Sequence, residues 1–385
     1  MKIKTSLIIG FFVFWTIFTG CTKSDSESKN ESTNIQNKLV VGLVSLMTGS
    51  HAVYGKNVHN GVMMALEEIN ASGGIEGQQI EVILEDEGSD PKGAVNAVQK
   101  LISVNKVPVI IGPASSSGTI AAAPIANREK VVLLSPGAAS PNISNAGEYI
   151  FRNRASGSAE SIAIAEFATK SLSITKAAIL QITTDYGVGF CKVFEKRFKE
   201  LGGNIIGIEY FDAGKTDFKA QITKLKNLEP EAIYIIGVPI EVGKILKQMK
   251  ELGLNSIILT NNMESPELLK NAGNAAEGIY FAIPKYDPHS KGERIREFNS
   301  RYTAKFSYDS DMFAANGYDA VYIVAKAIRI GGYSGEGIKN ALHTEMFEAV
   351  NGNVIRFDSN GDVIKPLVIK TVKSGKFERV EIRKP

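Results

Sequence analysis

Two neighbouring stretches concentrate the residues suited to holding a small polar molecule. Residues 109–140 read VIIGPASSSGTIAAAPIANREKVVLLSPGAAS. Ser115, Ser116 and Ser117 follow the aliphatic run Val109–Ile111, and Gly137, Ala138, Ala139 and Ser140 follow the run Val131–Leu134. Hydroxyls and free backbone N–H groups at a helix start suit a carboxylate or another anionic or polar head. Small side chains let such a head approach the backbone closely. Ser, Gly and Pro also build ordinary turns between strands and helices. Both readings stay open on these residues alone.

Other chemistry fails on spacing. Gly187-Val188-Gly189 follows a strand pattern, but Lys192 stands where a dinucleotide fingerprint needs its third Gly. Gly214-Lys215-Thr216 has Glu209 where a P-loop needs its leading Gly. Asp358-Ser359-Asn360-Gly361-Asp362 has Val363 at the Gly position of a calcium loop, so a hairpin turn is expected there. There is no G-x-S-x-G elbow. His51, His59, His289 and His343 lack metal-ligand spacing and read as solvated surface. Cys191, at the start of a helical pattern, reads as a buried structural thiol. On these residues the enzyme reading is weak and no cofactor or metal site is expected.

The elements that must position these loops alternate. Lys38–Leu46, Gln79–Glu85, Val109–Ile111 and Val131–Leu134 read as strands. Between them, Gly55–Asn70 shows helical spacing, with Val58, Val62, Leu66 and Ile69 on one face, and Asp90-Pro91 opens a second helix. The pattern pauses at Tyr149–Ser156 and restarts as a second set of similar size. Its strands are Ala177–Gln181, Ile205–Tyr210, Ile233–Ile236, Ile257–Leu259 and Ile279–Ile283; its helices are Ile162–Ser171, Val188–Leu201, Phe218–Leu228 and Val242–Leu252. Ser290–Phe306 is amphipathic with many charges, and helices at Phe313–Ile330 and Gly335–Leu342 follow; Val354–Phe357 and Pro366–Thr371 read as strands, and Phe377–Ile382 closes the chain. Strands alternating with helices at this spacing mean βαβ units and parallel sheets.

The chain of 385 residues, 44% apolar and 22% charged, is long enough for two domains. Removing the Lys2 and Lys4 charges from the net +3 leaves +1, which gives no support for a nucleic-acid partner. Ser6–Phe18 is an apolar run of thirteen residues, too short to span a bilayer and the length of a signal-peptide core. Thr19-Gly20-Cys21 then looks like a lipobox, with Phe18 where Leu is usual, and cleavage would leave Cys21 as a lipidated N-terminus. Residues 1–20 are thus expected to be a signal peptide, and 21–37, rich in Ser, Asn, Lys and Glu, a disordered tether.

The ordered motifs resemble the solute-binding proteins of branched-chain amino-acid-type ABC importers, the periplasmic binding protein type I fold. The resemblance rests on Gly42, Thr48-Gly49, Tyr54-Gly55, Gly61, Ala65, Ile69-Asn70, Gly73-Gly74-Ile75 and Gly77. It continues through Asp86, Asp90-Pro91, Ile111-Gly112-Pro113, Ser116, Pro124-Ile125-Ala126, Ser135-Pro136-Gly137-Ala138, Tyr149, Phe151-Arg152 and Asp185-Tyr186-Gly187. It implies two similar Rossmann-like α/β lobes joined by three hinge crossovers near Arg154, Ile283 and Lys365. Residues 38–154 and 284–364 would form the first lobe, 155–283 and 365–385 the second. A small ligand would lie between them, contacted by Tyr54, Ser115, Ser116, Ser117, Gly137, Ala138, Ala139 and Phe313 from the first lobe. Tyr186, Val238, Asn262 and Glu264 would contact it from the second. The implied partners are an amino acid or related carboxylate or amide, ABC permease subunits, and a membrane through Cys21; the implied state is a lipid-anchored, extracytoplasmic monomer. The alternatives are a ligand-sensing, receptor-like lipoprotein of the same fold and an α/β enzyme.

Two positions depart from the pattern. Ala139 stands where amino-acid binders usually carry a Thr, with Ser140 beside it as a possible substitute. Asn262 stands where a carboxylate usually holds the ligand ammonium, with Glu264 two residues on. A buried ammonium without a carboxylate partner is costly. Val238 replaces an aromatic position and would widen the pocket.

Overall fold

The structure, a computed structural model, describes residues 38–88 and 90–381. The expected signal peptide and tether, with Cys21, lie outside the described residues, as does Ile382. The first sheet contains β1 (Leu39–Ser45), β2 (Ile80–Asp86), β3 (Val109–Ile111), β4 (Val132–Ser135) and β5 (Ile150–Arg152). Its strands are all parallel, in the order β2-β1-β3-β4-β5. The intervening helices are α1 (Ala52–Ala71), α2 (Pro91–Ser103) and α3 (Ser116–Glu129). β3 and β4 are buried at every residue, which is why they read as unbroken aliphatic runs rather than alternating ones. β5 lies inside the stretch expected to be a pause; three residues are too few to show a period, yet Ile150, Phe151 and Arg152 are all buried.

The second sheet repeats the first. Its parallel part contains β6 (Lys176–Ile182), β7 (Asn204–Phe211), β8 (Ala232–Ile236), β9 (Ile257–Asn261) and β10 (Tyr280–Pro284), in the order β7-β6-β8-β9-β10. The helices are α4 (Gly157–Lys170), α5 (Asp185–Glu200), α6 (Lys219–Lys226), α7 (Pro239–Glu251) and α8 (Pro266–Ala272). The short α8, capped by Ser265, is absent from the sequence reading. Each sheet is covered on both faces. Core side chains of α1 and the later helices pack on one face of the first sheet and those of α2 and α3 on the other. Likewise α6–α8 and α4–α5 cover the two faces of the second.

After β10 the chain returns to the first sheet as α9 (Glu293–Phe306), α10 (Met312–Gly331) and α11 (Gly335–Thr344). A two-stranded ribbon, β11 (Phe347–Glu348) with β12 (Val354–Ile355), follows. The expected hairpin around Asp358–Asp362 narrows to a single bridge between Phe357 and Val363. The chain then crosses again. β13 (Leu367–Lys373) joins β10 antiparallel and β14 (Lys376–Arg379) pairs with β13, so the second sheet is not wholly parallel. Buried polar groups gather where the chain passes between the sheets. Asn153 Nδ2 donates to Asn316 O at 2.8 Å, and Lys365 Nζ donates to Asn316 Oδ1 at 2.7 Å. Burial brings the Lys365 ammonium down to about 8 against the opposing charge of Asp319. Cys191 is buried, and burial pushes its thiol up to about 12.

The packing of α1 on α10 carries the first lobe's contribution to the site. Gly61 faces the Ala314 carbonyl and Gly317 faces the Val58 carbonyl; a Cβ at either would lie 1.9 Å or 2.3 Å from the oxygen. The two backbones therefore touch, and their first turns bring Tyr54 and Phe313 together with ring centroids 5.2 Å apart.

Candidate functional site

The carboxyl ends of both sheets face each other, which is where open α/β sheets hold their ligands. Tyr54 follows β1, Ser115–Ser117 follow β3, and Gly137–Ala139 follow β4. Opposite them, Tyr186 follows β6, Val238 follows β8, and Asn262 and Glu264 follow β9. Two contacts join these ends directly. The Asp185 N–H donates to Ser117 Oγ at 3.3 Å, and Ser140 Oγ donates to the Asp185 carbonyl at 2.8 Å. A third spans the rim, where His51 Nε2 lies 3.0 Å from Glu241 Oε1.

The three serines do three different things. Ser115 is the N-cap of α3: its Oγ accepts from the Gly118 N–H and donates to Glu87 Oε2 at 2.6 Å. Its hydrogen is thus committed to Glu87 rather than free for a ligand carboxylate. The Ala114 and Ser115 N–H groups, expected to be free, both donate to Glu87 Oε1. Ser116 Oγ accepts from the Ala139 and Ser140 N–H groups at 3.2 and 3.1 Å, which leaves its own hydrogen to donate. The N–H groups of Ser116 and Ser117, in the first turn of α3, have no intrahelical acceptor. One hydroxyl and two backbone donors thus converge at the positive end of a helix dipole, a site for a carboxylate.

Ser140 does not replace the missing Thr hydroxyl at Ala139. Its Oγ is committed to Asp185 and to the Asn142 N–H. The Ala139 methyl packs into the core formed by α4 and α5. Glu264 already has a cation, since both its carboxylate oxygens accept from Lys370 Nζ. Asn262 sits at φ 50°, a left-handed conformation that Asn tolerates, with its N–H on the Ala282 carbonyl. Val238 is the residue preceding α7. Tyr186 packs against Phe190, with ring centroids 4.4 Å apart and the rings tilted by 38°.

Three acidic residues near the site escaped the sequence reading. Glu87 is 1% exposed, and burial pushes its carboxyl up to about 7 even though three donors point at it. Glu241 is 2% exposed. Burial pushes its carboxyl up, but the His51 imidazole and the Gly214 N–H outweigh that and hold it below the usual range. Asp311 caps α10 through the Ala314 N–H and accepts from Asn57 Nδ2 at 2.8 Å. Burial raises the Tyr54 phenol well above its ordinary value, helped by the charges of Glu267, Glu241 and Asp311. His51, expected to be solvated, is instead held against Glu241. Among the described residues no group of three or more His, Cys, Asp or Glu is placed to hold a metal ion.

A family model for periplasmic binding proteins matches residues 38–376. The chain belongs to the periplasmic binding protein family. It is 30% identical over 329 residues to a leucine-, isoleucine-, valine-, threonine- and alanine-binding protein of Pseudomonas aeruginosa, covering 84% of this chain and 86% of that one. Its fold is similar to that of the branched-chain amino acid transporter substrate-binding protein LivJ of Streptococcus pneumoniae in complex with isoleucine. There the TM-score is 0.81 and the identity 32%, covering 90% of this chain and 100% of that one. It is also similar to an ABC transporter solute-binding protein of Rhodopseudomonas palustris BisB5 in complex with 3,4-dihydroxybenzoic acid. That TM-score is 0.79 at 27% identity, covering 90% and 96% of the two chains. Family membership agrees with the two-lobed resemblance read from the motifs.

Proposed function

We propose that this member of the family is the extracytoplasmic solute-binding component of an ABC importer. It captures a small amino acid of the branched-chain type, or a related carboxylate or amide, between its two lobes. The observation that carries this reading is the start of α3, where the Ser116 hydroxyl and the first-turn N–H groups converge beside the lobe junction closed by Ser117 and Asp185. Relatives that bind isoleucine and 3,4-dihydroxybenzoic acid support a carboxylate as the shared feature of the ligands. Tyr54 and Phe313 would cover the ligand from the first lobe and Tyr186 from the second. Gly137 and Ala138 leave room for its head, and Val238 and Asn262 border its other end. Closure of the lobes on the ligand presents one shape to the permease.

Delivery to a transporter also needs the protein near its membrane. Among the described residues no helix is long and apolar enough to cross one. Lipidation at Cys21 would supply the anchor. Labelling with a radioactive fatty acid should mark the wild type and leave Cys21→Ala unlabelled; equal labelling of both removes the anchor from this reading.

The ligand is found with a thermal-shift panel on protein unfolded and refolded to strip retained solute. The panel holds aliphatic and polar amino acids, short amides, and aromatic and aliphatic carboxylates. A ligand at about 100 times its Kd adds roughly 2.7 kcal/mol of stability. A shift with leucine, isoleucine or valine supports the branched-chain reading. A shift with carboxylates alone moves the specificity to acids. A flat panel overturns the carboxylate-capture reading.

A further inference from the structure

Two polar atoms at the junction of the lobes have no hydrogen-bond partner although both are buried: the Tyr54 hydroxyl and Glu241 Oε2. They come from opposite lobes, Tyr54 from the first turn of α1 and Glu241 from the first turn of α7. Glu241 is not a surface charge turned inward by chance. Its other oxygen accepts from the Gly214 N–H at 3.1 Å and meets His51 of the opposite lobe, so the carboxylate is fixed and directed across the junction. Native proteins seldom leave buried polar atoms unpaired, and a buried carboxylate oxygen is among the most costly to leave so. Glu160 Oε2 is unpaired as well, but Arg154 already balances that charge. Glu241 has no such cation: its side-chain partner is an imidazole. Glu267 and Asp311 add negative charge around Tyr54. The field on this side is therefore the reverse of that at the start of α3.

We infer that Glu241 and Tyr54 form a subsite for an ammonium group of the ligand. This rests on the ligand-capture reading above and sharpens it: the ligand carries an ammonium as well as a carboxylate. The ammonium donates to Glu241 Oε2 and Tyr54 OH. It comes from the α-carbon of an amino acid or from the end of a basic side chain, and the test separates the two.

The test is calorimetric titration of the full chain, stripped of retained solute, with two matched pairs: leucine against 4-methylpentanoate, and lysine against norleucine. In the wild type at least one ammonium-bearing member is expected to bind about tenfold or more tighter than its counterpart, about 1.4 kcal/mol. A preference in the leucine pair places an α-ammonium at Glu241; a preference confined to the lysine pair places a side-chain ammonium there. Glu241→Gln is expected to abolish that preference while changing the affinity of the preferred ligand's counterpart less than about twofold. His51→Ala, which removes the cross-lobe contact and keeps the carboxylate, is expected to preserve it. An equal loss for both members of a pair in Glu241→Gln makes Glu241 a closure contact only and overturns the inference. Tighter binding of 4-methylpentanoate than of leucine, with no lysine preference, also overturns it and leaves solute capture standing. Binding by none of the four overturns it together with the amino-acid reading. If Glu241→Gln does not fold, Tyr54→Phe serves: it is expected to reduce the preference several-fold, and an unchanged preference counts against the subsite.

Discussion

Ser115, Ser116 and Ser117 are identical in type and adjacent in sequence, and one hydrogen-bond ledger separates them. Ser115 spends its hydrogen on Glu87, whereas Ser116 accepts from the Ala139 and Ser140 N–H groups and Ser117 from the Asp185 N–H, each with its own hydrogen left to donate. Replacing Ser116 by Ala should weaken ligand binding by about 1–3 kcal/mol; an unchanged Kd by calorimetry removes the residue from the site. The loop pattern of small polar residues was legible because turn and anion chemistry both select Ser and Gly. That Ser115 was committed was not legible, because the answer lies with Glu87, nearly thirty residues away and in no recognisable spacing. Glu87 also gives the fold a pH signature. Its folded pKa, about 7, lies above its unfolded value, so its contribution is present below the ordinary carboxylate range and is lost as pH rises through about 7. The melting temperature should fall between about pH 5 and pH 8, and Glu87→Gln should flatten that slope; equal slopes in both proteins contradict the assignment.

At the scale of elements, periodicity located the long helices and the buried strands to within a few residues. It failed where elements are short: β5 and α8 carry three and seven residues, too few for a repeat to show. It was also silent on how α1 meets α10. The glycines at 61 and 317 are what a sequence offers, and the carbonyls they face are what the fold adds. Gly61→Ala forces the two backbones apart and should cost about 1–3 kcal/mol, the usual range for overpacking. Because Tyr54 and Phe313 ride on the same pair of helices, ligand affinity should fall with stability. Chemical denaturation and calorimetry of one preparation test both, and a variant as stable as wild type contradicts the contact.

The described residues form one βα arrangement used twice, with the chain passing between sheets three times. The alternation of elements and its repetition were readable together with the family motifs; the strand order was not. The contacts that hold the two ends together were not, since His51 and Glu241 lie 190 residues apart. Glu241 is held below the usual carboxylate range, so its cross-lobe contribution is present above its unfolded pKa and is lost as pH falls through the folded one. Small-angle scattering of the stripped protein should show the radius of gyration rising as pH drops below about 4.5. Glu241→Gln should lack that step. The same rise in both proteins assigns it to other carboxylates.

The most direct test of capture at the start of α3 is a crystal structure of the stripped protein soaked or grown with the best ligand of the thermal-shift panel. The ligand is expected between the two sheets, with its carboxylate within hydrogen-bond distance of Ser116 Oγ and of the Ser116 and Ser117 N–H groups. A ligand bound elsewhere, or in the cleft with its carboxylate turned away from Ser116, contradicts it.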